Sequence, residues 1–179
     1  MRTTIPRHFP LLAATALCLV VGGGVEANID RPRPGLRHAS GSVEDLIERL
    51  LSALEARDRK ALSQLRVDKA EYLRLILPGT AQPGEPAKRY SSNLRRFAWD
   101  MLDSKCKFWE STLLNTFGGK DLTVDSFDYR EGVKEYAGYT AYRQLELQLR
   151  DATGEVQELR TGSVVEIDGR YKFISWVRD

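Results

Sequence analysis

The chain has 179 residues, with 27 Lys and Arg against 25 Asp and Glu and a formal net charge of +2. That is enough for one domain and short for two. Charges of both signs are interspersed, so the basic stripe that a nucleic-acid partner calls for is absent.

The first 27 residues read as a signal peptide. Arg2 and Arg7 supply a positive start, Leu11 to Val21 an apolar core, and Val25-Glu26-Ala27 small residues for cleavage near Ala27. The apolar core is shorter than the roughly 20 residues of a membrane span. Leu17 is too bulky beside Cys18 for a lipoprotein signal. The expected product is exported, periplasmic or secreted, without a membrane span. Cys106 is then its sole thiol, so no internal disulfide is expected.

Residues 28–41 (NIDRPRPGLRHASG) read as a linker, rich in proline, glycine and arginine. His38 falls here, as a solvated side chain. Ser42, with Asp45 three residues on, caps a helix whose Val43, Leu46, Ile47, Leu50, Leu51 and Leu54 form one stripe. Asp45 and Arg49 are spaced for an outer-face pair. Asp58 caps a second short helix, with Ala61, Leu62 and Leu65. Asp68 and Glu71 cap a third, with Tyr72, Leu73, Ile76 and Leu77, which Pro78-Gly79 stops.

After the loop 80–87, a helix is predicted over 88–117, ending at Gly118-Gly119. Tyr90, Leu94, Phe97, Met101 and Phe108 mark one stripe. Ala98, Leu102, Cys106, Trp109, Leu113 and Phe117 mark a second, and together they suit a helix lying across a sheet. Its length of about 45 Å predicts a kink or break near Ser104.

Four strands follow: 122–129, with a bulge where its apolar phase switches near Ser126; 136–150; 155–167; and 170–178. Asp151 to Gly154 and Asp168-Gly169 supply turns. The expected fold is α+β, a single domain over 42–179 with N-terminal helices on one face of a curved four-stranded antiparallel sheet. The last hairpin pairs Val164 with Phe173, Val165 with Lys172, Ser163 with Ile174 and Thr161 with Trp176. Leu145, Leu147 and Leu149 share the Val164–Phe173 face, the expected core.

This element order, with the terminal G-S-V-V-E-I-D-G-R-Y-K-F-I-S-W-V hairpin, resembles the nuclear transport factor two-like superfamily, to which ketosteroid isomerases and SnoaL-type cyclases belong. The resemblance covers about Ser42 to Arg178. It implies a cone with an apolar pocket at one end, and it assigns no catalytic residue here.

Two surfaces follow from the register. Gly162 and Ser175 oppose each other on the core face and leave a hollow. With Trp99 and Met101 of the long helix it would form a pocket for a small apolar ligand, unless Trp99, Trp109 or Phe108 fills it. On the other face, Ile174 and Trp176 form an apolar patch to be covered by the first helix or by a second copy, which makes a homodimer through it the expected assembly.

Chemistry is sparse. One histidine and one thiol after position 27 give no metal spacing, and no cofactor motif is present. Cys106 on an apolar stripe is a buried thiol without a base. Acid–base work would fall to Asp100, Asp103, Glu110, Asp125 or Glu146 with Tyr72, Tyr90, Tyr139 or Tyr142. Tyr136, Tyr139 and Tyr142, three apart in one strand, would alternate faces and form no common box. Three readings stand: a non-catalytic exported domain that binds a small apolar ligand or a protein partner, a lyase or isomerase using a carboxylate and a tyrosine, or a structural envelope protein. The first is preferred, because no nucleophile, base or metal constellation is legible.

Overall fold

The computed structural model describes residues 35–177. The segment read as a signal peptide, its expected cleavage point and the first part of the expected linker lie outside them. Residues 36–41 belong to the fold and not to a linker: Leu36, Ala39 and Ser40 are buried.

Helix α1 (Val43–Glu55) begins where expected. Ser42 Oγ accepts from Asp45 N at 3.1 Å, and Asp45 accepts from Gly41 N at 3.1 Å. Leu46, Ile47, Leu50 and Leu54 go into the core as the stripe predicts. The chain leaves α1 through Arg57 at φ 52, with Asp58 N bonded to Ala53 O at 2.8 Å. Arg49 does not pair with Asp45. It donates to His38 O and Ser40 Oγ, and so fastens the preceding segment.

Helix α2 (Arg59–Leu65) is capped by Asp58, whose carboxylate accepts from Lys60 and Ala61 N. Helix α3 (Lys69–Glu71) carries both halves of the expected capping box between Asp68 and Glu71. It runs without interruption through a π turn (Tyr72–Ile76) into α4 (Leu77–Gly79). The sequence reading did not foresee this wide turn. Pro78 has no N–H for the Arg74 carbonyl, and its ring crowds that carbonyl. A turn closed instead by Leu77 N on Tyr72 O relieves both.

Helix α5 (Ser92–Phe117) is one unbroken element of 26 residues, so the break expected near Ser104 is absent. It starts at Ser92, behind the cap Ser91 and four residues later than predicted, and ends at Gly118-Gly119 as expected. The shorter run spans about 39 Å at 1.5 Å per residue.

The strands form two antiparallel sheets instead of one: β1 (Leu122–Tyr129), β4 (Leu145–Asp151) and β5 (Val156–Arg160) in the order β1-β4-β5, and β2 (Val133–Glu135), β3 (Thr140–Tyr142), β6 (Val164–Ile167) and β7 (Arg170–Phe173) in the order β2-β3-β6-β7. The bulge expected in β1 lies between Val124 and Ser126. The two long predicted strands are each cut in two. Gln144 adopts φ 60 between β3 and β4, and residues 161–163 separate β5 from β6. The hairpin register agrees with the prediction from Val164–Phe173 to Ile167–Arg170, across a turn with φ 52 at Asp168 and φ 70 at Gly169. Ile174 N reaches Ser163 O at 2.8 Å, and regular pairing ends there.

Both faces of β2-β3-β6-β7 are covered, which corrects the expectation of helices on one face only. Val164 and Phe173 join Leu145, Leu147, Leu149 and the α1 stripe in the main core. Ala141, Val165 and Tyr139 meet Leu36, Ala39, Val67 and Ile76 in a second cluster. The edge of β7 is closed as well, by paired bonds to Ser40 and by Val67 N to Phe173 O.

Candidate functional site

The hollow predicted at Gly162 is filled. A Cβ there would lie 2.3 Å from Ser175 Oγ, 2.6 Å from Ser175 O and 2.7 Å from Val177 O. Gly162 is therefore a close-approach position between two chain segments and not a pocket floor. Trp99 and Met101 do not meet it. Trp99 is buried against Tyr72, with the Arg66 guanidinium 5.3 Å from its ring centre, while Met101 faces solvent.

Trp176 does not lie on an exposed patch either. It is 1 % exposed, packs on Phe173 at 4.6 Å between ring centres and belongs to the main core. Ile174 is half-buried against the second cluster. The patch that was to bind a second copy is covered from within the chain, because irregular backbone after Phe173 frees Trp176 from strand alternation.

Four of the five carboxylate candidates are held by cations. Asp103 is bound by Arg66 at 2.6 Å and Lys107 at 2.8 Å, Glu110 by Arg59 at 2.8 Å, and Glu146 by Arg160 at 3.0 Å. Asp125 pairs with Arg150, and Asp100 is exposed. Burial pulls the Asp103 carboxyl upward, but Lys107 and Arg66 outweigh it and hold the group below its ordinary value. Among the described residues no carboxylate hydrogen-bonds a tyrosine hydroxyl; Tyr90 Oη instead lies 3.2 Å from Thr80 Oγ1. Burial raises the Cys106 thiol despite the nearby Arg66. No group of metal-ligating side chains occurs among the described residues.

The concave feature is elsewhere. A cleft of about 760 Å³ lies between the π turn and α4, the β2–β3 turn and the tip of the β6–β7 hairpin. Its shape comes from two glycines in backbone contact. A Cβ on Gly138 would sit 2.8 Å from Gly79 Cα, and Gly138 N bonds to Gly79 O while Ala137 N bonds to Ala81 O. Tyr136 N closes the turn onto Tyr139 O at 2.9 Å. The two rings thereby pack together, 4.9 Å apart and tilted by 35°. Tyr136 and Tyr139 thus share one site, against the expectation of alternating faces, because they flank a turn and not a strand. The signal was available: Ala137-Gly138 between two tyrosines is a turn sequence.

The lining of this cleft carries three carboxylates, Glu85, Glu166 and Asp168, and one cation, Arg74. Burial first, and then its neighbours Tyr136, Tyr72 and Tyr90, push the Tyr139 hydroxyl far above the ordinary tyrosine value, so it stays a proton donor. Glu166 on the rim is engaged by Gly169 N at 2.6 Å and Glu85 by Gln82 N at 3.0 Å. Arg74 is exposed and forms no ion pair among the described residues. It and Pro78 also wall a second cleft of about 440 Å³, whose lining holds Lys88, Arg89 and Arg95 around Tyr90 and includes no carboxylate. No helix of the described residues is long and apolar enough to cross a membrane. No family model, curated protein or solved structure matches the chain.

Proposed function

We propose that this chain is a non-catalytic binding domain for a small amphipathic acid. The observation that carries the reading is the junction of the two clefts at Arg74: a packed, tilted tyrosine pair on one side, and Lys88, Arg89 and Arg95 on the other. The apolar body of the ligand lies on Tyr136 and Tyr139. Its carboxylate or phosphate takes the unpaired Arg74, whose planar fork suits either anion. Pairing of the buried carboxylates with cations favours binding over a lyase or isomerase, which needs a carboxyl free to move a proton. The site acts outside the cytoplasm, a reading supported by the signal pattern of residues 1–27.

We also propose the nuclear transport factor two-like cone as its architecture. Helices before antiparallel strands, and the hairpin register, support it. Thr161 N to Leu145 O and Leu145 N to Gly162 O bridge the two sheets at their breaks, which supports one bent sheet of four long strands.

The test is ligand screening by NMR with fatty acids, isoprenyl phosphates and their neutral alcohols. Acids are expected to shift the amides of Tyr136, Thr140 and Glu166, and the alcohols to do so weakly. Arg74→Glu should remove the preference for acids, and Ala137→Trp should block the cleft, both with unchanged circular dichroism. Equal binding of acid and alcohol, or shifts confined to other surfaces, would overturn the reading.

A further inference from the structure

Helix α5 carries two apolar stripes, and the fold uses one. Cys106, Leu113 and Phe117 enter the core, with Leu102 and Trp109 packed against it. Leu94, Phe97, Met101 and Phe108 remain 48, 63, 46 and 67 % exposed. The exposed set is ordered. Leu94, Met101 and Phe108 recur at intervals of seven, and Phe97 and Ser104 follow the first two by three, which are the a and d positions of a heptad seam.

We propose that this stripe is the seam of a parallel homodimer, with α5 against α5 and the twofold axis along the helices. The charges beside the seam choose the partner and the direction. Asp100 occupies a g position and Lys105 an e position. In a parallel pair, g of one helix faces the e five residues later on the other, so Asp100 meets Lys105 of the second copy, twice by symmetry. Both side chains are exposed, and neither forms an ion pair among the described residues. The neighbouring combinations, Asn93 with Ala98 and Lys107 with Thr112, set no like charges together. An antiparallel pair would bring Asp100 toward Lys107, which Asp103 already holds at 2.8 Å. A lipid surface fits less well, because Asp100 beside Phe97 and Met101 would be carried toward the acyl chains and lose its hydration. Ser104 is small enough to let the helices approach between Met101 and Phe108.

Sedimentation of the full chain, at low and high protein concentration, tests this. A concentration-dependent dimer is expected, and Met101→Glu should leave a folded monomer. Asp100→Lys and Lys105→Asp should each weaken the dimer, and the double exchange should restore it. Phe108→Cys should oxidise to a disulfide-linked dimer, because Phe108 faces its own copy in the parallel arrangement, whereas an antiparallel pair centred on the stripe sets it against Leu94. A monomer at every concentration, or a dimer indifferent to Met101→Glu, would overturn the proposal, as would a double exchange that fails to restore pairing. So would a monomer that binds anionic phospholipid vesicles through Met101, which would assign the stripe to a membrane.

Discussion

The Lys172 ammonium lies 2.9 Å from a Glu71 carboxylate oxygen, and the two side chains are only 2 and 4 % exposed. Lys172 opposes Val165 on the face of β7 that the α3–π–α4 rod covers, so its charge has no route to water. Glu71 is held on three sides, since it also accepts from Arg37 N at 2.5 Å and Asp68 N at 2.8 Å. One residue both caps α3 and neutralises the sheet face against which it packs.

Removing one partner strands the other charge. Glu71→Gln is expected to destabilise the protein by about 3–5 kcal/mol at neutral pH. The cost should shrink as pH rises. Burial lowers the Lys172 pKa from 10.5, and Glu71 opposes that shift, so without Glu71 the folded value drops further. Between the folded value and 10.5 the unfolded state binds more protons, and stability therefore rises with pH across that window. The double variant Glu71→Gln with Lys172→Met should fall within about 1 kcal/mol of the parent at neutral pH. Urea titrations at pH 7 and 9.5 separate these outcomes.

Gly162→Ala should destabilise by about 1–3 kcal/mol or more without changing ligand binding, because overpacking against backbone cannot relax. Ser175→Gly should rescue it in part only, since two of the three atoms that crowd the new Cβ are carbonyl oxygens. Full rescue would show that the segments are free to separate.

Trp176→Asp is expected to unfold the chain instead of releasing a monomer, and Trp176→Ala to cost about 3–5 kcal/mol. Circular dichroism melts decide this. A folded Trp176→Asp variant would contradict the burial of this side chain.

Acid stability should track Asp103. Its folded pKa lies below 3.8, so the stability it contributes is present above that value and lost as pH falls through the folded one. Asp103→Asn should flatten the acid limb of the stability profile and cost about 1–3 kcal/mol at pH 7 by removing the carboxylate charge that balances the buried Arg66. An unchanged acid limb would show that other carboxylates govern it.

Local rules sufficed where a residue's conformation depends on its near neighbours in the chain. The caps at Ser42, Asp58 and Asp68, the end of α5 at Gly118, the bulge in β1 and the register around Asp168-Gly169 are settled by hydrogen bonds and steric limits within a few residues, and so all were legible in the sequence. Side-chain alternation carried the same logic to Leu145, Leu147 and Leu149. Tertiary structure alone decided what long-range packing governs. The widened turn before Pro78, the breaks at Gln144 and at 161–163, the burial of Trp176 and the filling of the Gly162 hollow follow from which distant segment arrives at each point. The cleft belongs with these, because Gly79 and Gly138 mean nothing apart and shape a site only where their backbones touch. Which of the two apolar stripes of α5 faces inward is likewise undetermined by periodicity, since both satisfy the helical repeat and the core has room for one.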